Sequence, residues 1–349
     1  MPEASGDTPS QASETTDVAI IGAGPVGLFA VFELGMLKIR CHVIDSLDSP
    51  GGQCAALYPE KPIYDIPGYP RIQAAELVEK LREQAAPFDP VYHLGQRVER
   101  IEPGAEGRWI LETSSGRRID AGAVLIAAGG GAFGPNRPPL EGIRDYEGKS
   151  VFYSIYRRED FRGKRIVIAG GGDSAVDWAL SLAELASQIH VVHRRAKFRA
   201  APDSVSRLQE LASKGEVVRL VVPYQLQALE GSDGKLEAVV VRKLSGEDRR
   251  LEADILLPFF GLSMNLGPIA AWGLNLDRNQ IAVDPETCMT SAKGIFAIGD
   301  VNAYPGKLKL ILCGFSEAAM AAHAIHALMH PDQPLHWEYS TTKGVPGLS

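Results

Sequence analysis

The residues best placed to do chemistry in this sequence are glycines. Gly22, Gly24 and Gly27 follow the apolar run Val18-Ala-Ile-Ile and precede a second apolar stretch that ends near Gly35, so a GxGxxG loop joins a buried strand to a helix. The first glycine permits a tight turn, the second lets a pyrophosphate reach the backbone, and the third lets the helix pack close to the strand. With Pro25 and Val26 the loop opens a helix whose leading N–H groups suit phosphate. Asp45 ends the next strand, 18 residues after Gly27. There a carboxylate accepts hydrogen bonds from an adenosine ribose and repels a 2′-phosphate. Glycines that serve only as turns are the plainer alternative.

A second loop, Gly170-x-Gly172-x-x-Ala175, follows Arg165-Ile-Val-Ile-Ala and carries Asp173 and Ser174 at the helix start. Its second strand ends not in an acid but in His193-Arg194-Arg195, with Lys197 and Arg199 close behind. Guanidinium forks bind a phosphate bidentately, so this loop is expected to take NADPH in preference to NADH. Elsewhere such a cluster would read as a solvated face. A third element, Gly299-Asp300, follows the apolar Ile295-Phe-Ala-Ile. An acid there can grip ribityl hydroxyls, which FAD has and NAD lacks; a turn acid is the alternative. The alanine-rich stretch from about Ser316 to Leu328 reads as a helix whose N-terminus favours the negative charge of a reduced flavin.

These loops need strands and helices behind them, and the chain supplies two βαβ units, its one internal repeat. Buried strands at 123–128 and 253–260 flank Gly- and Pro-rich stretches suited to hinges. The expected fold is α/β, with two Rossmann-like three-layer dinucleotide-binding domains. An NADPH domain (132–261) is inserted into a discontinuous FAD domain (15–131 and 262–330), after a disordered tail (1–14) and before an extension (331–349). A length of 349 residues, 45% hydrophobic and 23% charged, suits two globular domains. A net charge of -7 argues against binding nucleic acid. The start lacks the basic and apolar regions of a secretory signal, and no apolar run of about 18 residues is evident, so a cytoplasmic protein without a membrane span is expected. Cys41, Cys54, Cys288 and Cys313 form no CxxC, and no metal site is written locally.

The two loops, the discontinuous order and Phe296-Ala-Ile-Gly-Asp300 resemble the thioredoxin-reductase branch of flavoproteins. Within that branch, Gly51-Gly-Gln53-Cys-Ala-Ala-Leu-Tyr58-Pro-Glu-Lys61, Gly170-Gly-Gly-Asp-Ser-Ala-Val-Asp-Trp178, Gly306-Lys-Leu-Lys-Leu-Ile311 and Tyr339-Ser-Thr-Thr342 resemble the ferredoxin–NADP reductases of thioredoxin-reductase type. The resemblance implies FAD and NADP(H) as cofactors, ferredoxin or flavodoxin as partner, and a homodimer. It implies that Asp45 holds the adenosine ribose, Gln53 contacts the flavin side, Val98 lies by the adenine, Phe133 lines the FAD site and Asp300 holds the ribityl chain. Tyr58 would stack on one face of the ring, Thr341 would close the site, and Tyr339 would reach the flavin of the other subunit. Stacking of this kind contributes about 0.5–1.5 kcal/mol per ring. A core role for Tyr58 is the alternative.

Thioredoxin reductases carry a CxxC just before the second glycine loop, where this chain has Tyr153-Ser-Ile-Tyr-Arg157-Arg158. Glutathione-reductase relatives carry C-x4-C; here Cys54 faces Pro59 at that spacing. Electrons reaching the flavin are therefore expected to leave from it directly, and no acid–base residue is required. Acidic ferredoxins would dock on basic residues, for which Arg157, Arg158, Arg162, Lys164, Arg165, Lys307, Lys309 and Lys343 are candidates. Reduction of a small disulfide, quinone or free flavin, with Cys54 in the first case, and a non-catalytic flavin sensor remain open at this point.

Overall fold

The computed structural model of the chain describes residues 13–333 and 344–345. Strand β1 (Glu14–Ile21) leads to α1 (Pro25–Met36), β2 (Cys41–Ile44), the short α2 (Gly52–Ala56) and α3 (Ala74–Ala85). Four strands follow: β3 (Val91–His93), β4 (Val98–Pro103), β5 (Trp109–Thr113) and β6 (Arg118–Ile126). The middle of the chain runs β7 (Arg165–Ala169), α4 (Asp173–Leu182), β8 (Gln188–Val192), α5 (Pro202–Lys214) and β9 (Val218–Val221). It continues through β10 (Tyr224–Ser232), β11 (Lys235–Lys243), β12 (Asp248–Glu252) and β13 (Ile255–Pro258). The last large elements are β14 (Ile295–Ala297) and α6 (Ile311–Met329).

These elements form two compact units. One joins the described residues up to Ala132 to those from Met264 onward, and the other is Phe133–Ser263. Each end of a crossing is tied within its own unit: Gly131 bridges Asn265 in the first, and the Asn136 N–H donates to the Gly261 carbonyl at 3.1 Å in the second.

In the first unit the sheet order is β3-β2-β1-β6-β5-β4, with β14 also beside β6. Strands β3, β2, β1, β6 and β14 are parallel, while β4, β5 and β6 form an antiparallel meander. A central parallel strand is covered on both faces, which is why Val18 to Ile21 reads as an unbroken apolar run. Val18, Ile20, Val43, Leu125 and Phe296 pack with Val31 and Leu34 of α1 and with Ala318 and Ala322 of α6. The alternate residues Ala19, Ile21, Ile44, Val124 and Ile126 pack with Leu111 and Ile119 of the meander.

Helix α6 begins at Ile311, earlier than the composition suggests. The reason is close approach: a Cβ on Gly314 would lie 2.4 Å from Val26 Cγ2, so glycine is kept inside the helix for packing and does not end it. By length and composition α6 also meets the standard for crossing a bilayer, which corrects the reading that no such run exists. Ala318, Ala321, Ala322 and Ile325 of this helix are fully buried in the core of the unit.

The second unit has a four-stranded parallel sheet, β9-β8-β7-β13, and a three-stranded antiparallel sheet, β10-β11-β12. Val167, Ala169, Val192 and Leu256 of the former share a core with Val239, Val241 and Leu251 of the latter. Helix α4, buried through Ala175, Val176, Trp178 and Ala179, packs on β7 and β8.

Candidate active site

The first glycine loop is built by approach too close for any side chain. A Cβ on Gly22 would lie 2.4 Å from the Ala127 carbonyl oxygen, and one on Gly27 would lie 2.0 Å from the Gly22 carbonyl oxygen. Helix α1 starts from Gly24 with Pro25 in its first turn and has no side-chain cap, so its leading N–H groups are left for a ligand. The Asp45 carboxylate braces the loop: Oδ2 accepts from the Ala23 N–H at 2.6 Å and Oδ1 from the Leu47 N–H at 2.8 Å. Burial pushes its carboxyl above the ordinary range, against the pull of those hydrogen bonds.

Two further segments close on the loop. The Gly51 N–H donates to the Ala23 carbonyl at 2.8 Å, and a Cβ on Gly52 would lie 3.0 Å from the Gly24 Cα, so α2 brings Gln53 to the loop. The Val26 methyls lie 3.6 Å from where a Gly299 Cβ would stand, which places the Gly299-Asp300 turn against the start of α1. The site thus gathers at the carboxyl ends of the parallel strands β1, β2 and β14, where such sheets bind ligands.

Asp300 is half-buried, and among the described residues nothing hydrogen-bonds to its carboxylate. Burial raises its carboxyl above the ordinary range, while Lys307 and Lys309 pull it down. An acceptor with no donor among the described residues, beside glycine backbone that leaves room for phosphate, fits the hydroxyls and pyrophosphate of FAD.

Beneath this turn lies a group the sequence reading missed. Glu317 of α6 is 2% exposed. Its Oε2 accepts from the Gly299 N–H at 2.7 Å and from Asn302 Nδ2 at 3.1 Å; its Oε1 accepts from the Tyr304 hydroxyl at 2.8 Å and from the Lys307 ammonium. The one acid in an alanine-rich helix was the available signal, since a carboxylate is seldom buried without partners. The same contact corrects the placing of Lys307 among the docking residues: its side chain is only 6% exposed.

Tyr58 is half-buried, with the Cys54 thiol donating to its hydroxyl at 3.8 Å and the Lys61 ammonium 5.9 Å from its ring centroid. Burial pushes the Cys54 thiol up to about 11 and holds the Tyr58 phenol well above its ordinary value. The Val98 side chain is buried in the core with Ile44 and Leu111, so only its main chain is available to an adenine. Tyr339, Thr341 and the Phe133 side chain lie outside the described residues.

The second unit carries the other loop. A Cβ on Gly170 would lie 2.6 Å from the Phe259 carbonyl oxygen, whereas beside Gly172, the N-cap of α4, the space is open. The Asp173 carboxylate accepts from the Ala201 N–H at 2.9 Å, and the Arg199 N–H donates to the Gly171 carbonyl at 2.7 Å. These two bonds fold the segment after β8 back onto the glycine loop, with Ser174 in the first turn of α4. The buried His193 ring lies over Gly171 and stacks on Phe198, with ring centroids 5.3 Å apart. Arg194, Arg195 and Arg199 are exposed, and no described acid pairs with them. Unneutralised guanidinium groups beside a phosphate-binding helix start suit an additional phosphate.

All four cysteines are free. Tyr153, in the stretch before the second glycine loop, donates its hydroxyl to Glu147 at 2.8 Å.

A chain with two such loops and a flavin-type acidic turn is a two-dinucleotide flavoprotein, and it belongs to the pyridine nucleotide-disulphide oxidoreductase family, which matches residues 16–325. Membership implies FAD and NAD(P) as its cofactors. Among its relatives, the ferredoxin–NADP reductase of Paramagnetospirillum magneticum is 63% identical over 96% of this chain and 99% of its own. That of Granulibacter bethesdensis is 64% identical over 95% of each chain. Of solved structures, Lactococcus lactis thioredoxin reductase aligns with TM-score 0.78 at 25% identity, over 90% of this chain and 99% of its own.

Proposed function

We propose that the protein is an FAD-dependent ferredoxin–NADP reductase. Its near-full-length relatives of that name support the reading. The observation that carries it is Cys54: the one thiol against Tyr58 is 2% exposed and held protonated at neutral pH, so no thiolate is available as an exit for electrons. Reduction of a small disulfide through Cys54 is disfavoured on the same ground.

In this reading Phe133–Ser263 is the NADPH domain inserted into the FAD domain. Gly22, Gly24, Gly27 and the start of α1 would receive the FAD pyrophosphate, Asp45 the ribose, Asp300 the ribityl chain, and Gln53 and Tyr58 the ring side. Gly170, Gly172, Asp173 and Ser174 would hold the NADPH pyrophosphate, and Arg194, Arg195 and Arg199 its 2′-phosphate. When bound, FAD supplies a centre that accepts a hydride from the nicotinamide and releases electrons singly. The chain's own contribution is orientation, exclusion of water and a local field from Asp300, Lys307 and Glu317. A homodimer, a C-terminal extension (331–349) over the flavin and a cytoplasmic location belong to the same proposal.

The test is anaerobic titration of the yellow protein. NADPH should bleach it far faster than NADH, and oxidised ferredoxin should restore the colour even after thiol alkylation. Loss of turnover on alkylation, or equal rates with NADH, would sink the proposal.

A further inference from the structure

We propose that Glu14, His42 and His93 form a three-ligand site for an exchangeable divalent metal ion of the zinc class. They come from the three neighbouring strands β1, β2 and β3 of the first unit, and they take no part in the dinucleotide loops. His42 Nδ1 and His93 Nε2 face each other at 3.0 Å. Glu14 Oε2 lies 3.9 Å from the former and 3.7 Å from the latter.

Those separations form a triangle close to the one a metal imposes. Ligand atoms held about 2.0–2.2 Å from a tetrahedral zinc ion stand about 3.3 Å from one another. The two nitrogens are already at that spacing to within a few tenths of an ångström. The carboxylate oxygen must move in by roughly half an ångström, an easy swing for a side chain 37% exposed. The histidine side chains are 13% and 5% exposed, so the strands that carry them fix their rings.

Charge and protonation agree. An N–H···N hydrogen bond between the facing nitrogens needs a neutral ring as its acceptor, and neutral imidazole is the form that binds metal. One of them now donates a proton to the other. On metal binding that proton shifts to the far nitrogen of its own ring, which frees both facing lone pairs. The Arg117 guanidinium pairs with the other Glu14 oxygen and orients the carboxylate from outside, as partners of ligating carboxylates do. Two imidazoles and one carboxylate leave a fourth position for water, the composition of an open site and not of a closed structural one. Arg117, together with Arg40 near His42, weakens the attraction for a dication and makes the site a modest, reversible binder.

The metal used in the test is zinc itself. Chelator-treated holoprotein, dialysed against Zn2+ and assayed by elemental analysis, should bind about one ion per chain at low micromolar free zinc. His42→Gln and Glu14→Gln should each weaken binding by about tenfold or more while keeping the flavin colour and the melting temperature. His330→Gln, just past the end of α6, where the His326 and His330 ring centroids lie 4.9 Å apart, should leave binding unchanged. Because His93 is buried and its substitution can unfold the strand, Co2+ provides an independent reading. It should give the absorption of a four-coordinate N/O site at wavelengths beyond the flavin bands. Undiminished zinc binding in both the His42 and Glu14 variants, no binding by the wild-type protein, or a purely octahedral cobalt spectrum would each overturn the assignment.

Discussion

The Lys307 ammonium and the Glu317 carboxylate meet where their side chains are only 6% and 2% exposed, directly behind the turn that presents Asp300. A buried pair of this kind tolerates loss of one partner poorly, because the other is left charged and dry; the typical cost is about 3–5 kcal/mol. Lys307→Met should therefore lower the unfolding free energy by roughly that amount, and Glu317→Gln by less, because an amide can still accept one bond. The double variant should cost less than the sum of the two single ones. Urea unfolding measures all three. A residue that served only to dock an acceptor would change stability by no more than about 0.5 kcal/mol. Glu317→Gln should also release FAD faster on dilution, since the Gly299 N–H depends on that carboxylate.

Arg194, Arg195 and Arg199 leave a second mark. Each guanidinium–phosphate hydrogen bond is worth about 1.5–3 kcal/mol, so replacing either Arg194 or Arg195 with Ala should raise the KM for NADPH by about tenfold to a hundredfold. The KM for NADH should barely move, because NADH lacks the 2′-phosphate. Steady-state kinetics with both nucleotides decide the matter, and a parallel loss with NADH would mean that the arginines shape the loop without reading the phosphate.

What was legible in the sequence was local. Gly22, Gly24 and Gly27 announce themselves because an apolar strand precedes them and an apolar helix follows, and Asp45 and Arg194 because each stands where such a strand must end. Glu317 was not legible as the partner of Lys307. Ten residues and a turn separate them, and only the packing of α6 under Gly299 turns a surface-type lysine inward. The start of α6 was missed for a related reason: Gly314 reads as a helix breaker until Val26 is seen to need its space. Glu14, His42 and His93 share no spacing at all, because three separate strands bring them together.

The basic residues of the second unit divide by their partners. Arg165 donates to Asp254 and Glu252 at 2.7 Å each, and Arg162 is held by Glu159 at 2.8 Å; both charges are largely compensated at home. Ferredoxin reduction should still slow with added salt, while reduction of the enzyme by NADPH hardly changes, as stopped-flow at two ionic strengths would show. Arg165→Ala should act mainly on stability, with a pH signature. The Arg165 hydrogen bond holds the Asp254 carboxyl below its ordinary range, so its stabilisation is present above the unfolded carboxylate value and fades as pH falls through the folded one. The variant should lose stability at pH 7 and converge with the parent in acid. A constant gap across that range would show that the pairing has no such role.

Cys54 gives the sharpest chemical prediction. Burial is the main reason that its thiol is raised to about 11, and the nearby Asp300 adds to the effect, while the bond to Tyr58 opposes it. The folded protein then favours the neutral thiol: this stabilisation is complete below the unfolded thiol value near 8.5 and is lost as pH rises towards about 11. Iodoacetamide should therefore modify Cys54 slowly in the native protein at pH 8 and quickly in urea, as peptide mass analysis would follow. Cys54→Ala should keep NADPH-driven turnover within about twofold, because a small buried hydrophobe replaces a thiol that carries no electrons. Its main cost should be to the packing around Tyr58, read as a lower melting temperature. If the variant binds FAD normally yet cannot turn over, the thiol is part of the electron path and direct exit from the flavin is wrong.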